Sequence, residues 1–153
     1  MKLSEHLDLV EVTRSESAKR RGISNMPTEE HIQNLKTLAE KVFEPIRANF
    51  RQPIRISSGY RSQSLNAAIG GATRSQHSTG EALDIDMDGT ALSNKEIFNF
   101  IKDKLSFDQL IWEFGTDNNP DWVHVSYSAN GNQRKQVLKA IKENGKTKYI
   151  PYK

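Results

Sequence analysis

Two segments of this chain carry residues able to ligate a metal ion: SQHSTGEALDID, with His77 and Asp84, and DWVHVS, with His124. Two neutral imidazoles and one carboxylate suit a borderline-soft divalent ion such as zinc, which they would hold tetrahedrally. Three protein ligands leave the fourth position to water, and zinc brings the pKa of that water near neutrality, which makes it a hydrolytic nucleophile. The chain has no cysteine, so thiolate sites, a cysteine nucleophile and disulfides are all excluded, and any metal must be held by His, Asp and Glu.

The elements that must position these residues can be read from periodicity. Ala82 to Met87 alternates, with Leu83, Ile85 and Met87 on one face and Ala82, Asp84 and Asp86 on the other, which predicts a half-buried strand with Asp84 turned away from the core. His77 lies on a loop closed by Gly80, and a turn there would bring it back towards Asp84. In Trp122 to Tyr127, parity separates Val123, Val125 and Tyr127 from Trp122, His124 and Ser126, so His124 also faces away from the core, and pairing of the two strands would let Asp84 meet His124. Spacing alone is a weak signal, because a single strand His is ordinarily a surface or hydrogen-bonded residue.

Upstream, Ile32, Leu35, Leu38, Ala39, Val42, Phe43 and Ile46 follow the helical period between Pro27 and Phe50, with Thr28 as N-cap and Pro45 expected to kink or end the helix. A short strand is predicted from Pro53 to Ser57, then a small-residue helix around Leu65 to Ile69, stopped by Gly70-Gly71. The capping box Ser93-x-x-Glu96 announces a second helix with Ile97, Phe98, Ile101 and Leu105 as its buried stripe. Gln109 to Glu113 reads as a strand, Gln136 to Ala140 as a weaker one, and GKTKYIPYK as an extended or frayed end. Helices first and strands later, without regular alternation, predict an α+β fold around a small antiparallel sheet flanked by helices.

The 153 residues fit one domain that buries roughly two thirds of its unfolded surface, with residues 1–26 as an N-terminal extension packed on it. The opening MKLSEHLDLVEVTRSESAKRRG has no uninterrupted apolar run, so synthesis in the cytosol without a signal peptide is expected. Net charge is only +3, too little to argue for nucleic acid; no membrane contact is expected, and anionic wall polymers would be equally good partners. A monomer is expected.

The segments SGYRS, SQHSTGEALDID and WVHVS together resemble the M15 family of zinc D-Ala-D-Ala carboxypeptidases and related peptidoglycan peptidases, in the subgroup common in phages and prophages. The resemblance extends from TRSESAKRRGISNMP through Glu44-Pro45 to WVHVSY. It implies a small α+β fold shared with Hedgehog signalling domains, and one zinc ion on His77, Asp84 and His124. It also implies a catalytic carboxylate three residues before the last His, which here is Asp121 where many relatives have Glu. Residues three apart on a strand face oppositely, so Asp121 would have to sit in a bent loop after Pro120; Glu113 is the nearest alternative base. Arg61 of SGYRS is implied to stabilise substrate or transition state, which suits a planar five-donor cation, and Ser75 to donate a hydrogen bond within the site. The implied reaction is amide hydrolysis in a peptidoglycan stem peptide flanked by D-residues, after release or export to the wall by another route. Carboxypeptidase and endopeptidase are both open.

Two other readings use the same residues. Asp84-x-Asp86-x-Asp88-Gly89 matches the first half of an EF-hand calcium loop, but the twelfth position is Lys95 and no helix precedes it. A wall-binding protein that kept the fold and lost the chemistry is the other.

Overall fold

In the computed structural model, which describes residues 1–153, the chain opens with a small hairpin, β1 (Lys2–Ser4) and β2 (Leu7–Asp8), and two short helices, α1 (Leu9–Thr13) and α2 (Glu16–Arg21). Leu3, Leu7 and Val12 of this segment are buried in the same apolar cluster as the rest of the core. The long helical pattern that follows is one rod in three parts: α3 (Glu29–Leu38), a π-helical stretch (Ala39–Phe43) and α4 (Glu44–Phe50). Thr28 caps α3 by accepting from the His31 N–H. Pro45 lies late in the rod, as expected, but does not end it. It has no N–H and its ring crowds the preceding turn, and the rod widens just before it, the Glu44 N–H reaching back to the Ala39 carbonyl.

Next come β3 (Ile56–Ser58), α5 (Gln63–Ala68), a 3-10 turn (Gln76–Thr79), β4 (Ala82–Ile85), α6 (Asn94–Lys104), β5 (Gln109–Glu113) and β6 (Trp122–Ser126). The capping box at Ser93 is formed as the sequence predicts. The chain ends in a hairpin, β7 (Gln136–Glu143) and β8 (Lys146–Pro151), where an extended or frayed end was expected. The missed signal is Asn144-Gly145: both have positive φ, 54° and 77°, the geometry of a two-residue type I′ turn, whose twist matches the flanking strands.

β3 to β8 form one sheet in the order β3-β4-β6-β5-β7-β8. It is antiparallel except where β7 lies parallel to β5, so the expected antiparallel sheet is larger and mixed, within an α+β fold. Leu83, Ile85, Leu110, Trp112, Val123 and Val125 are buried on one face and belong to one core with residues of the α3–α4 rod and α6. The partner positions Asp84, His124 and Ile111, and Trp122 and Glu113, point to the opposite face, which forms the floor of a cleft.

Candidate metal centre

Strand register brings the first two ligand candidates together: Asp84 pairs directly with His124 across β4 and β6. His77 joins them from the 3-10 turn, whose start is capped by Ser75, the Oγ accepting from the His77 N–H at 3.2 Å. The serine hydroxyl shapes the turn as an acceptor, and Ser75 also lines the cleft. The turn is held on two further sides. The Thr79 carbonyl accepts from Asn34 of α3 at 2.9 Å, and Gln76 Nε2 donates to Asp108 at 2.9 Å. Asp108 also takes a two-pronged bond from Arg134, which holds its carboxyl down to about 2.

The imidazole of His77 is 3 % exposed, and its Nδ1 donates to the Gly59 carbonyl at 2.7 Å. That bond fixes the tautomer and leaves Nε2 as a lone-pair donor, 3.3 Å from Asp84 Oδ1. His124 Nδ1 is 3.0 Å from the same oxygen. Around a tetrahedral ion with bonds of about 2.0–2.1 Å, neighbouring ligand atoms stand about 3.3 Å apart. The three ligand atoms all lie within 4.8 Å of one another, so the donor set fits a zinc ion with small side-chain adjustments. Burial would push the Asp84 carboxyl up, but the imidazoles of His77 and His124 more than offset it and hold the carboxyl below its ordinary range. That favours the charged form a metal needs.

Gly59 is required by its surroundings. A Cβ there would fall 2.5 Å from the Val12 carbonyl oxygen of α1, so only glycine lets this carbonyl sit against His77. The neighbouring backbone is tied in the same way, with the Tyr60 N–H on the Val12 carbonyl and the Arg61 N–H on the His77 carbonyl. Arg61 lines the cleft and its buried Nε has no partner in the protein. An unpaired buried guanidinium nitrogen is costly unless a ligand takes it, which suits an anionic group of a substrate.

Of the two carboxylates considered as base, Glu113 lines the cleft and Asp121 does not. Asp121 precedes β6, is exposed, and uses its backbone to bond Glu113 and Asn94. As expected of a residue three before His124, it lies outside the strand, in a bend after Pro120, and it is not part of the cleft lining. Glu113 shares the face of His124, because it lies two residues from Ile111, the β5 partner of His124. Burial pushes its carboxyl up to about 7, with the Asp84 charge adding and His124 and Arg61 opposing. Asp86, offered by the calcium reading, accepts instead from the Asp88 N–H and Asn94 Nδ2. The cleft, about 940 Å³, also takes in residues of the C-terminal hairpin that sequence reasoning did not reach, among them Leu138, Thr147 and Tyr149.

A two-His, one-Asp cluster at the floor of an open cleft, with a buried carboxyl and an unpaired guanidinium beside it, is the arrangement of a hydrolase of the metallopeptidase class. The Peptidase M15 family model matches residues 5–126, and the chain belongs to that family. Comparison with curated proteins gives no match.

Proposed function

We propose that the protein is a zinc-dependent peptidase that hydrolyses a stem-peptide bond of peptidoglycan, of D-Ala-D-Ala carboxypeptidase type. The observation that carries this is the convergence of His77 Nε2, Asp84 Oδ1 and His124 Nδ1 beneath the cleft, in a chain of the M15 family. Zinc bound there supplies Lewis acidity to the scissile carbonyl and acidifies water. Gly59 keeps His77 in the ligating tautomer by accepting from Nδ1. Glu113, buried and with its carboxyl near neutrality, accepts the proton of the attacking water on its side-chain oxygen and returns it to the leaving amine. The resemblance assigned this role to Asp121; the cleft lining favours Glu113. Arg61 meets the negative charge of a substrate carboxylate or of the carbonyl oxygen as the carbonyl is attacked. The wall substrate rests on the family, and the protein would reach the wall by release or by another export route.

The test is product analysis by mass spectrometry on a defined stem pentapeptide, with wild type, His77→Ala and His124→Ala, alongside metal analysis. One zinc per chain and release of terminal D-Ala are expected from the wild type, and loss of both from each variant. Stoichiometric zinc in both variants would overturn the ligand set. Cleavage at an internal stem bond would make the enzyme an endopeptidase.

A further inference from the structure

The cleft face of the sheet continues beyond Glu113 into a hairpin that the family match, ending at residue 126, does not include. In the cross-strand row through Glu113 stand Trp122, Glu113, Ala140 and Tyr149. In the row through His124 stand Asp84, His124, Ile111 and Leu138. Residues paired across a sheet share a face, so Tyr149 and Leu138 look into the same cleft as the ligand cluster, and both line it. β8 lies two strands from β5, roughly 10 Å at the usual strand spacing. The only side chain between them in that row is the methyl of Ala140, which leaves room for the Tyr149 ring over it. Tyr149 is 54 % exposed, so its hydroxyl is open to a ligand, and as a phenol it is a hydrogen-bond donor near neutral pH. Arg61 follows β3, at the other edge of the sheet from β8, and its N–H is tied to the His77 carbonyl, so the cleft lining runs from Arg61 past the ligand cluster to Tyr149.

We infer that Tyr149 is a substrate-positioning residue whose hydroxyl donates to a backbone carbonyl of a peptide lying across the cleft, on the side of the scissile bond opposite Arg61. Leu138 and Ile111 form the apolar floor beneath that part of the peptide. The C-terminal hairpin is therefore a specificity wall that selects for peptide extending past the scissile bond on that side. This rests on the peptidase reading above.

The experiment compares wild type, Tyr149→Phe and Tyr149→Ala in two formats. The first is calorimetric binding of a stem pentapeptide to metal-free protein. The second is KM and kcat of the zinc-loaded enzyme on that peptide and on one truncated on the side away from Arg61. Loss of one neutral hydrogen bond corresponds to roughly three- to tenfold in affinity. Tyr149→Phe is expected to weaken binding and raise KM by about that factor, and Tyr149→Ala by more, with kcat within about twofold and zinc content unchanged. All three proteins should treat the truncated peptide alike. Affinity and KM of both variants within twofold of wild type, or no binding of the pentapeptide by metal-free wild type, would overturn the inference. Normal peptide binding together with absent zinc or absent cleavage in the wild type would instead refute the peptidase reading and leave the wall standing.

Discussion

Replacing Glu113 by Gln separates chemistry from stability in one variant. In the metal-free protein, burial raises this carboxyl from 4.5 to about 7. Below 4.5 the group is protonated in the folded and unfolded states and contributes nothing. As pH rises through that interval the unfolded chain releases a proton that the folded chain keeps, so folding stability falls, and the loss is complete above the folded value. The rise corresponds to about 3 kcal/mol. Glutamine has no proton to lose. Urea unfolding of metal-free protein should therefore show Glu113→Gln close to wild type at pH 4.5 and more stable by up to about 3 kcal/mol at pH 8. A divalent cation beside the carboxylate favours its charged form, so the gain should shrink in zinc-loaded protein. Turnover of the zinc-loaded variant should drop by roughly a hundredfold or more with zinc retained, because the proton acceptor is gone. Equal stability of the two proteins at both pH values would refute the desolvated carboxyl. Near-normal turnover would move the base elsewhere, and Asp121→Asn, expected to stay within a few fold of wild type, would become the decisive variant.

Two further outcomes follow from the backbone and from Arg61. Gly59→Ala drives a methyl to within 2.5 Å of the Val12 carbonyl oxygen and displaces the acceptor of His77 Nδ1; denaturation should show a loss of about 1–3 kcal/mol, and chelator competition a zinc affinity lower by about 10–100-fold, whereas unchanged zinc affinity would refute the tautomer argument. If Arg61 grips a terminal carboxylate, a peptide ending in free D-Ala should be cut at least about 30-fold faster than its amide, for about 2 kcal/mol of unpaired charge. Arg61→Ala should erase that preference, and equal rates for acid and amide in the wild type would assign Arg61 to the oxyanion alone.

The meeting of Asp84 and His124 was legible because side-chain parity is a local property. Alternation in ALDIDM and WVHVSY turned Asp84 and His124 away from the core without any knowledge of the sheet, and the pairing of β4 with β6 then made them neighbours. Glu113 was harder, since its alternation with Ile111 and Gln109 gives a face but not a partner strand, and only the register of β5 on β6 puts that face in the cleft. Asp121 shows the opposite case: motif spacing favours it, but it sits in the bend just before β6, where strand parity no longer says which way a side chain faces. The Gly59 carbonyl was invisible to sequence because any residue supplies a carbonyl; only the approach of Val12 reveals why this one must be glycine. The final hairpin was readable from Asn144-Gly145 and was overlooked because the lysine-rich flanks resemble a solvated tail. The widening of the helical rod before Pro45 follows from a known local conflict, but whether a helix breaks or bulges there depends on the packing of Val42, Phe43 and Ile46, which are buried in the core.

The register of β4 on β6 carries one more consequence. Slipping that pairing by a single residue would turn Asp84 or His124 into the apolar layer and part the two permanently. An ion held by both, and by His77 from a turn that closes separately, therefore recognises one strand alignment out of several that the alternating sequence tolerates. With such an ion bound, native chains would gain the binding free energy, about 4 kcal/mol at a thousandfold excess over the dissociation constant, and mispaired chains none of it. The metal would act during folding as a proofreader of strand alignment, before any substrate arrives.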